Sequence, residues 1–180
     1  MGELLIVTGP PGAGKSTVAA ALAAHRSPSV LVEGDAFFAF LREGRIEPWL
    51  PESQAQNETV TVAAAAATGR FAAAVWTVYD GIMGAWFLPT FMAATGLATA
   101  HYVVLLPSVE RCVARVATRV GHGFSDEAAT RHMHDQFARA AVDARHVLVD
   151  PPDDVGAVTA SVLGRMATGS LLLAPADQAR

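Results

Sequence analysis

The sequence predicts an α/β fold in three layers, a five-stranded parallel sheet with helices on both faces, and three observations predict it. The stretch Leu4–Thr17, LLIVTGPPGAGKST, runs an apolar strand into a glycine-rich loop and then into an alanine-rich helix. Five short apolar runs recur along the 180 residues with helical patterns between them, the alternation that builds a parallel sheet with right-handed crossovers. Hydrophobic residues make up 52% of the chain and charged ones only 17%, which suits strands covered on both faces. One domain spanning residues 1–180 is expected, with ample length for its own core.

The first element carries the chemistry. Leu4 to Val7 form the strand, and Gly9-Pro10-Pro11-Gly12-Ala13-Gly14-Lys15-Ser16 fits the phosphate-loop pattern G-x-x-x-x-G-K-[ST] at every position, with Thr17 next in line. The glycines let successive backbone N–H groups turn inward toward phosphate oxygens. The following helix adds a field that favours negative charge at its N-terminus. Lys15 suits the β- and γ-phosphates, and the Ser16 hydroxyl suits Mg²⁺. The dinucleotide fingerprint G-x-G-x-x-G does not fit, because these glycines run G-x-x-G-x-G and a lysine follows. Binding of a nucleoside triphosphate, ATP with Mg²⁺, is the expectation.

The remaining elements follow in order. Val30–Glu33 reads as a second strand ending in Gly34-Asp35, and AFFAFLREG (36–44) as a short helix stopped by Gly44. RIEPWLPESQ is rich in breakers and holds Trp49 between two prolines, so it reads as a loop. A helix is expected from Gln54 to Phe71, with Gly69 an awkward residue near its end. Val75–Tyr79 is the third strand, closed by Asp80-Gly81. The segment AWFLPTFMAATG reads as a helix with proline in its first turn and glycine at its end. His101–Leu106 is the fourth strand, and Ser108 caps a helix reaching Arg119. After the break Gly121-His122-Gly123-Phe124, a hydroxyl at Ser125 and acids at 126 and 127 start a helix to about Ala141. His146–Asp150 is the fifth strand, 153–166 the last helix, and the tail LLLAPADQAR is expected to be only partly ordered.

Ligands in such sheets collect at the carboxyl ends of the strands, where Asp35, Asp80 and Asp150 fall. Asp35 is the candidate for orienting and deprotonating an acceptor hydroxyl; its other reading is a helix N-cap, and the two are compatible. Asp80 ends an apolar strand, as an acid holding Mg²⁺ through water does, or it is simply the Asp of a turn. Asp150, before Pro151-Pro152, is structural or a loop element near the nucleotide base. Arg111, Arg115 and Arg119 recur every fourth residue, giving either a lid face that supplies charge to the γ-phosphate or an ordinary solvated stripe. Arg119 and then Arg115 are the catalytic candidates, with Arg131 across the break a weaker one. Phe37, Phe38, Trp86 and Phe87 supply apolar surface around the acceptor side and read for the most part as core; Trp49, placed in a loop, is the aromatic expected to touch substrate. His132 and His134 stand two apart in a helix, so their side chains diverge, and a zinc pair would need a spacing of three or four.

Bulk properties exclude several classes. The net charge is −4, so no basic surface advertises nucleic acid or an anionic membrane. The single cysteine, Cys112, rules out an internal disulfide, fits a reducing compartment and reads as a buried small side chain. Residues 81–109 carry no Asp, Glu, Lys or Arg, yet Gly84, Pro89, Gly96 and His101 cut the run, so a buried helix and strand are expected rather than a membrane span. A strand starting at Glu3 leaves no room for a signal peptide, and a cytoplasmic protein with a small-molecule substrate is expected.

GPPGAGKST at Gly9–Thr17, EGDAFF at Glu33–Phe38, VYDG at Val78–Gly81 and the arginine-bearing stretch Arg111–Phe124 resemble the small P-loop kinases of the nucleoside-monophosphate-kinase type, which include gluconate and shikimate kinases. The branch of chloramphenicol phosphotransferase and related AAA-type small-molecule kinases is the most similar. The resemblance spans nearly the whole chain, though only its first motif is specific. It implies a P-loop fold with strand order 2-3-1-4-5, ATP with Mg²⁺, and transfer to a hydroxyl of a small molecule. It also implies that Asp35 activates the acceptor, that Arg119 belongs to a lid at about 120–127, and that residues 36–72 bind the acceptor. The lid holds no arginine of its own, and 36–72 shows no signature for reading a nucleobase. An antibiotic or sugar-like alcohol held by Phe38, Trp49, Arg42 and Arg45, with Asp80 nearby, is therefore expected. A nucleotide or cofactor-precursor kinase and a nucleotide-dependent switch remain as alternatives.

Overall fold

The computed structural model describes residues 2–118 and 126–173. Its strands β1 (Glu3–Thr8), β2 (Ser29–Glu33), β3 (Trp76–Asp80), β4 (His101–Leu106) and β5 (Val147–Val149) form one parallel sheet in the order β2-β3-β1-β4-β5, as expected for a P-loop fold. The apolar run of β1 is continuous because both faces of the sheet are covered. Leu4 and Ile6 point to one face, Leu5 and Val7 to the other, and all four are at most 1% exposed. On the first face Tyr79, Tyr102 and Val104 join Leu4 and Ile6 beneath α3 (Gln54–Ala72), α4 (Leu88–Thr95) and α6 (Glu127–Arg139). On the second, Val78, Val103 and Leu105 pack with α1 (Lys15–Ala24) and α7 (Val155–Ala167).

Three expectations are corrected, and the start of the tail is placed. The helix after β2, α2 (Gly34–Phe38), ends well short of Gly44. Beyond it Phe40 and Leu41 bond back only three residues, to Phe37 and Phe38, so the chain tightens into turns and leaves Phe40 73% exposed. At α6 the cap is Asp126, whose carboxylate accepts from the Ala129 N–H at 2.9 Å; Ser125 lies outside the described residues. The fifth strand is three residues long rather than five. Leu171 and Leu173 of the tail are buried, because the Leu171 carbonyl accepts from Tyr102 N–H and Leu173 N–H donates to Ala100 O beside the start of β4. Arg119 and most of the expected lid, residues 119–125, lie outside the described residues, as do 174–180. Just before residue 119, α5 (Val109–Thr118) follows β4 and passes across the phosphate loop, its Cys112 backbone beside Gly12. Among the described residues no helix is long and apolar enough to cross a membrane.

Candidate active site

The loop between β1 and α1 is shaped by backbone that only glycine tolerates. Gly9, Gly12 and Gly14 have φ of 146°, 75° and 90°, and two of them also have no room for a side chain. A Cβ on Gly9 would overlap the Leu105 carbonyl, and one on Gly12 the carbonyl of Cys112 in α5. Gly14 is the N-cap of α1, so Lys15, Ser16 and Thr17 occupy its first turn, where N–H groups lack helical partners and favour an anion. The Lys15 ammonium donates to Pro10 O at 3.1 Å, arching over the loop, and its field also reaches Asp80.

The strand register brings the acids to the same level. Val7 of β1 and Glu33 of β2 both pair with Asp80 of β3. Asp80 is only 7% exposed, and its Oδ1 has no hydrogen-bond partner. Burial is the largest influence and pushes its carboxyl above the ordinary range; Ser16 bonding and the Lys15 charge pull it down, while Asp35 and Glu33 push it up again. A buried carboxylate oxygen without a partner, beside a serine hydroxyl at the edge of a phosphate cradle, fits a hard divalent cation. Ser16 and Asp80 are the side chains that would hold Mg²⁺.

Asp35 stands exposed in the first turn of α2 and lines the cavity that opens beside Lys15. It is not a cap: the N-cap position is Glu33, and no side-chain bond closes that helix end. The cavity measures about 900 Å³. Phe38, Trp49, Trp86 and Phe87 contribute apolar wall, whereas Phe37 packs against the core instead. Arg45 lines the cavity and Arg42 does not, since Arg42 lies exposed on the turns that replace the expected helix.

The Trp49 loop is clamped to α3. Ser53 Oγ donates to Pro48 O at 2.9 Å, Asn57 Nδ2 donates to the same carbonyl at 2.7 Å, and Gln56 both accepts from and donates to the backbone of Ile46. Asn57, together with Gln136 and His132 of α6, lines the cavity, and these are site residues that sequence reading missed. The available signal was a polar set, Asn57 and Thr61, recurring on the buried face of α3. The two histidines do diverge: His132 lines the cavity, while His134 bonds Pro107 O at 2.8 Å.

The arginines are neither a bare solvated stripe nor gathered over the cavity. Arg111 donates to Pro151 O at 3.0 Å and to Asp153 at 2.6 Å. Arg115 shares Asp153 and donates to Gly12 O at 3.2 Å, so α5 grips the phosphate loop from one side and the loop before α7 from the other. Asp150, in left-handed backbone at φ 43°, accepts from Ser108 N–H at 2.7 Å and holds the entry to α5. Arg131 pairs with Glu127 on its own helix.

Comparison with known proteins places this geometry. The model of a family described as AAA domain (AAA_33) matches residues 4–144. The chain belongs to this AAA domain family. No curated protein matches it by sequence, but solved structures do by fold, several of them described as kinases. A sugar kinase from a Janibacter species is 18% identical, with 98% of each chain covered and a TM-score of 0.68. The tunicamycin resistance protein of Deinococcus radiodurans is 19% identical, covering 97% of this chain and 99% of that one at a TM-score of 0.60. Shikimate kinase from Acinetobacter baumannii, solved with shikimate, is 19% identical over 94% and 95% of the two chains, with a TM-score of 0.61. At such identities the likeness of this AAA domain to each of them is one of fold.

Proposed function

We propose that this AAA domain protein is an ATP-dependent phosphotransferase that moves the γ-phosphoryl group to a hydroxyl of a small molecule, with Asp35 as the acceptor-activating carboxylate. The observation that carries it is the shared wall: Lys15 and Asp35 line one cavity, opposite an apolar surface large enough for a substrate. The loop N–H groups, the α1 N-terminus and Lys15 hold the triphosphate. Mg²⁺, held through Ser16 and Asp80, would supply charge to the β- and γ-phosphates. Asp35 accepts the proton of the acceptor hydroxyl as that oxygen forms its bond to phosphorus, and the bond from phosphorus to the bridging oxygen of ADP breaks. Arg119 is proposed to belong to the lid at about 120–127, and Arg115, already on the loop at Gly12, to steady it from the side.

An uncharged acceptor, an antibiotic or a sugar-like alcohol, is favoured over a phosphorylated one. Apart from Lys15, the cavity wall carries one arginine, Arg45, among its described residues, with Glu47 also in the wall. A phosphorylated acceptor calls for several convergent arginines. The test is ATP turnover against a panel of hydroxylated antibiotics, sugars and nucleoside monophosphates, with mass spectrometry for the phosphate adduct. Asp35→Asn is expected to cut transfer by roughly 10²–10⁴ with ATP affinity near normal. Loss of ATP binding in that variant would instead make Asp35 a structural or metal-holding group.

A further inference from the structure

The two tyrosines lie in the same core and are satisfied differently. Tyr102 is 1% exposed, and its hydroxyl donates to Met83 O at 2.9 Å, the usual provision for a buried phenol. Tyr79 is 4% exposed, its ring packs on Phe91 with centroids 4.6 Å apart, and its hydroxyl has no hydrogen-bond partner among the described residues. A hydroxyl with no protein partner, on an oxygen that is not sealed in the core as Asp80 Oδ1 is, calls for a reason.

Its surroundings supply one. Tyr79 lines the cavity that Asp35 and Lys15 share. Its hydroxyl occupies a slot kept open by two glycines from different strand ends: a Cβ on Gly34 would overlap the phenol oxygen, and one on Gly81 would come within 2.8 Å of it. Gly34 precedes Asp35, and Gly81 follows Asp80. The phenol thus reaches the cavity between the carboxylate proposed to take the acceptor's proton and the one proposed to hold the metal.

We propose that the Tyr79 hydroxyl is a specificity-determining group that hydrogen-bonds an acceptor oxygen adjacent to the hydroxyl facing Asp35, so that the protein selects acceptors with two neighbouring oxygens, such as vicinal diols. It rests on the phosphotransferase reading of the same cavity. A phenol carries its proton at neutral pH and so offers an O–H donor. Asp35 serves one oxygen of the pair and Tyr79 the other.

Tyr79→Phe tests this with little risk to the fold, because the group removed bonds nothing in the protein. Its thermal midpoint is expected to equal or exceed that of the parent. Binding of vicinal diols (monosaccharides, inositols) and their monodeoxy counterparts is followed by ligand-detected NMR with a non-hydrolysable ATP analogue and Mg²⁺, and turnover is measured in parallel. The parent should prefer the diol of a matched pair by about tenfold, the worth of one neutral hydrogen bond. Tyr79→Phe should lose that preference while binding the ATP analogue equally well. A preference unchanged in the variant, or no diol binding by the parent, overturns the Tyr79 assignment whatever turnover shows. A Tyr79-dependent preference without phosphate transfer to any bound diol sustains the assignment and overturns the phosphotransferase reading.

Discussion

Asp80 sits between Val7 and Glu33 in register, at the one level of the sheet where a charge is both buried and useful. Its carboxyl is held above the ordinary value of 3.8, chiefly by burial. An acid with a raised folded value stabilises the fold relative to its charged form at low pH, and that contribution is lost as pH climbs through the folded value. Asp80→Asn keeps the shape and removes the charge. Without nucleotide and Mg²⁺, it is expected to match the parent below about pH 3.8 and to be the more stable of the two at pH 7, by thermal denaturation at both pH values. A variant less stable at pH 7 would mean that Ser16 and Lys15 already compensate the carboxylate. Asp80 could be singled out from its place at the end of an apolar strand. Tyr79 could not, because a tyrosine in such a strand looks like any core aromatic, and its free hydroxyl exists only through the two flanking glycines in space.

The elements show where local signals suffice and where contacts decide. Helix α4 follows its own markers, with Pro89 in the first turn and Gly96 at φ 67° closing it. Gly69 is awkward within α3 as a local signal, and the reason lies in another helix: a Cβ there would overlap the Thr95 carbonyl and meet its carbon at 2.7 Å, so α3 and α4 touch backbone to backbone. Gly69→Ala should therefore destabilise by about 1–3 kcal/mol, despite the better helix propensity of alanine. Chemical denaturation measures this; a gain in stability would show that the two helices can part without loss. The short α2 departs from its local signal for the opposite reason. Its apolar run AFFAFL suggested a longer helix, but the chain must turn there to present Arg45 and Trp49 to the cavity and to reach the clamps of Ser53, Gln56 and Asn57.

At the scale of the molecule, the strand order was open to inference because alternating strands and helices around a phosphate loop admit few windings. The burial of Leu171 and Leu173 was not, since three leucines before a polar tail carry no period and find their place only against the start of β4. The seating of α5 on the phosphate loop, with the Cys112 backbone at Gly12 and Arg115 on the Gly12 carbonyl, has a practical consequence. Cys112 is the chain's single thiol, it is fully buried, and burial pushes it up so that little thiolate is present. A maleimide can reach it only when α5 lifts away or the core opens, so the native protein carries its own clock for that motion. ATP analogue with Mg²⁺ should slow labelling in the parent and leave Lys15→Ala unaffected. Equal rates with and without nucleotide in the parent would mean that the helix opens independently of what the loop holds.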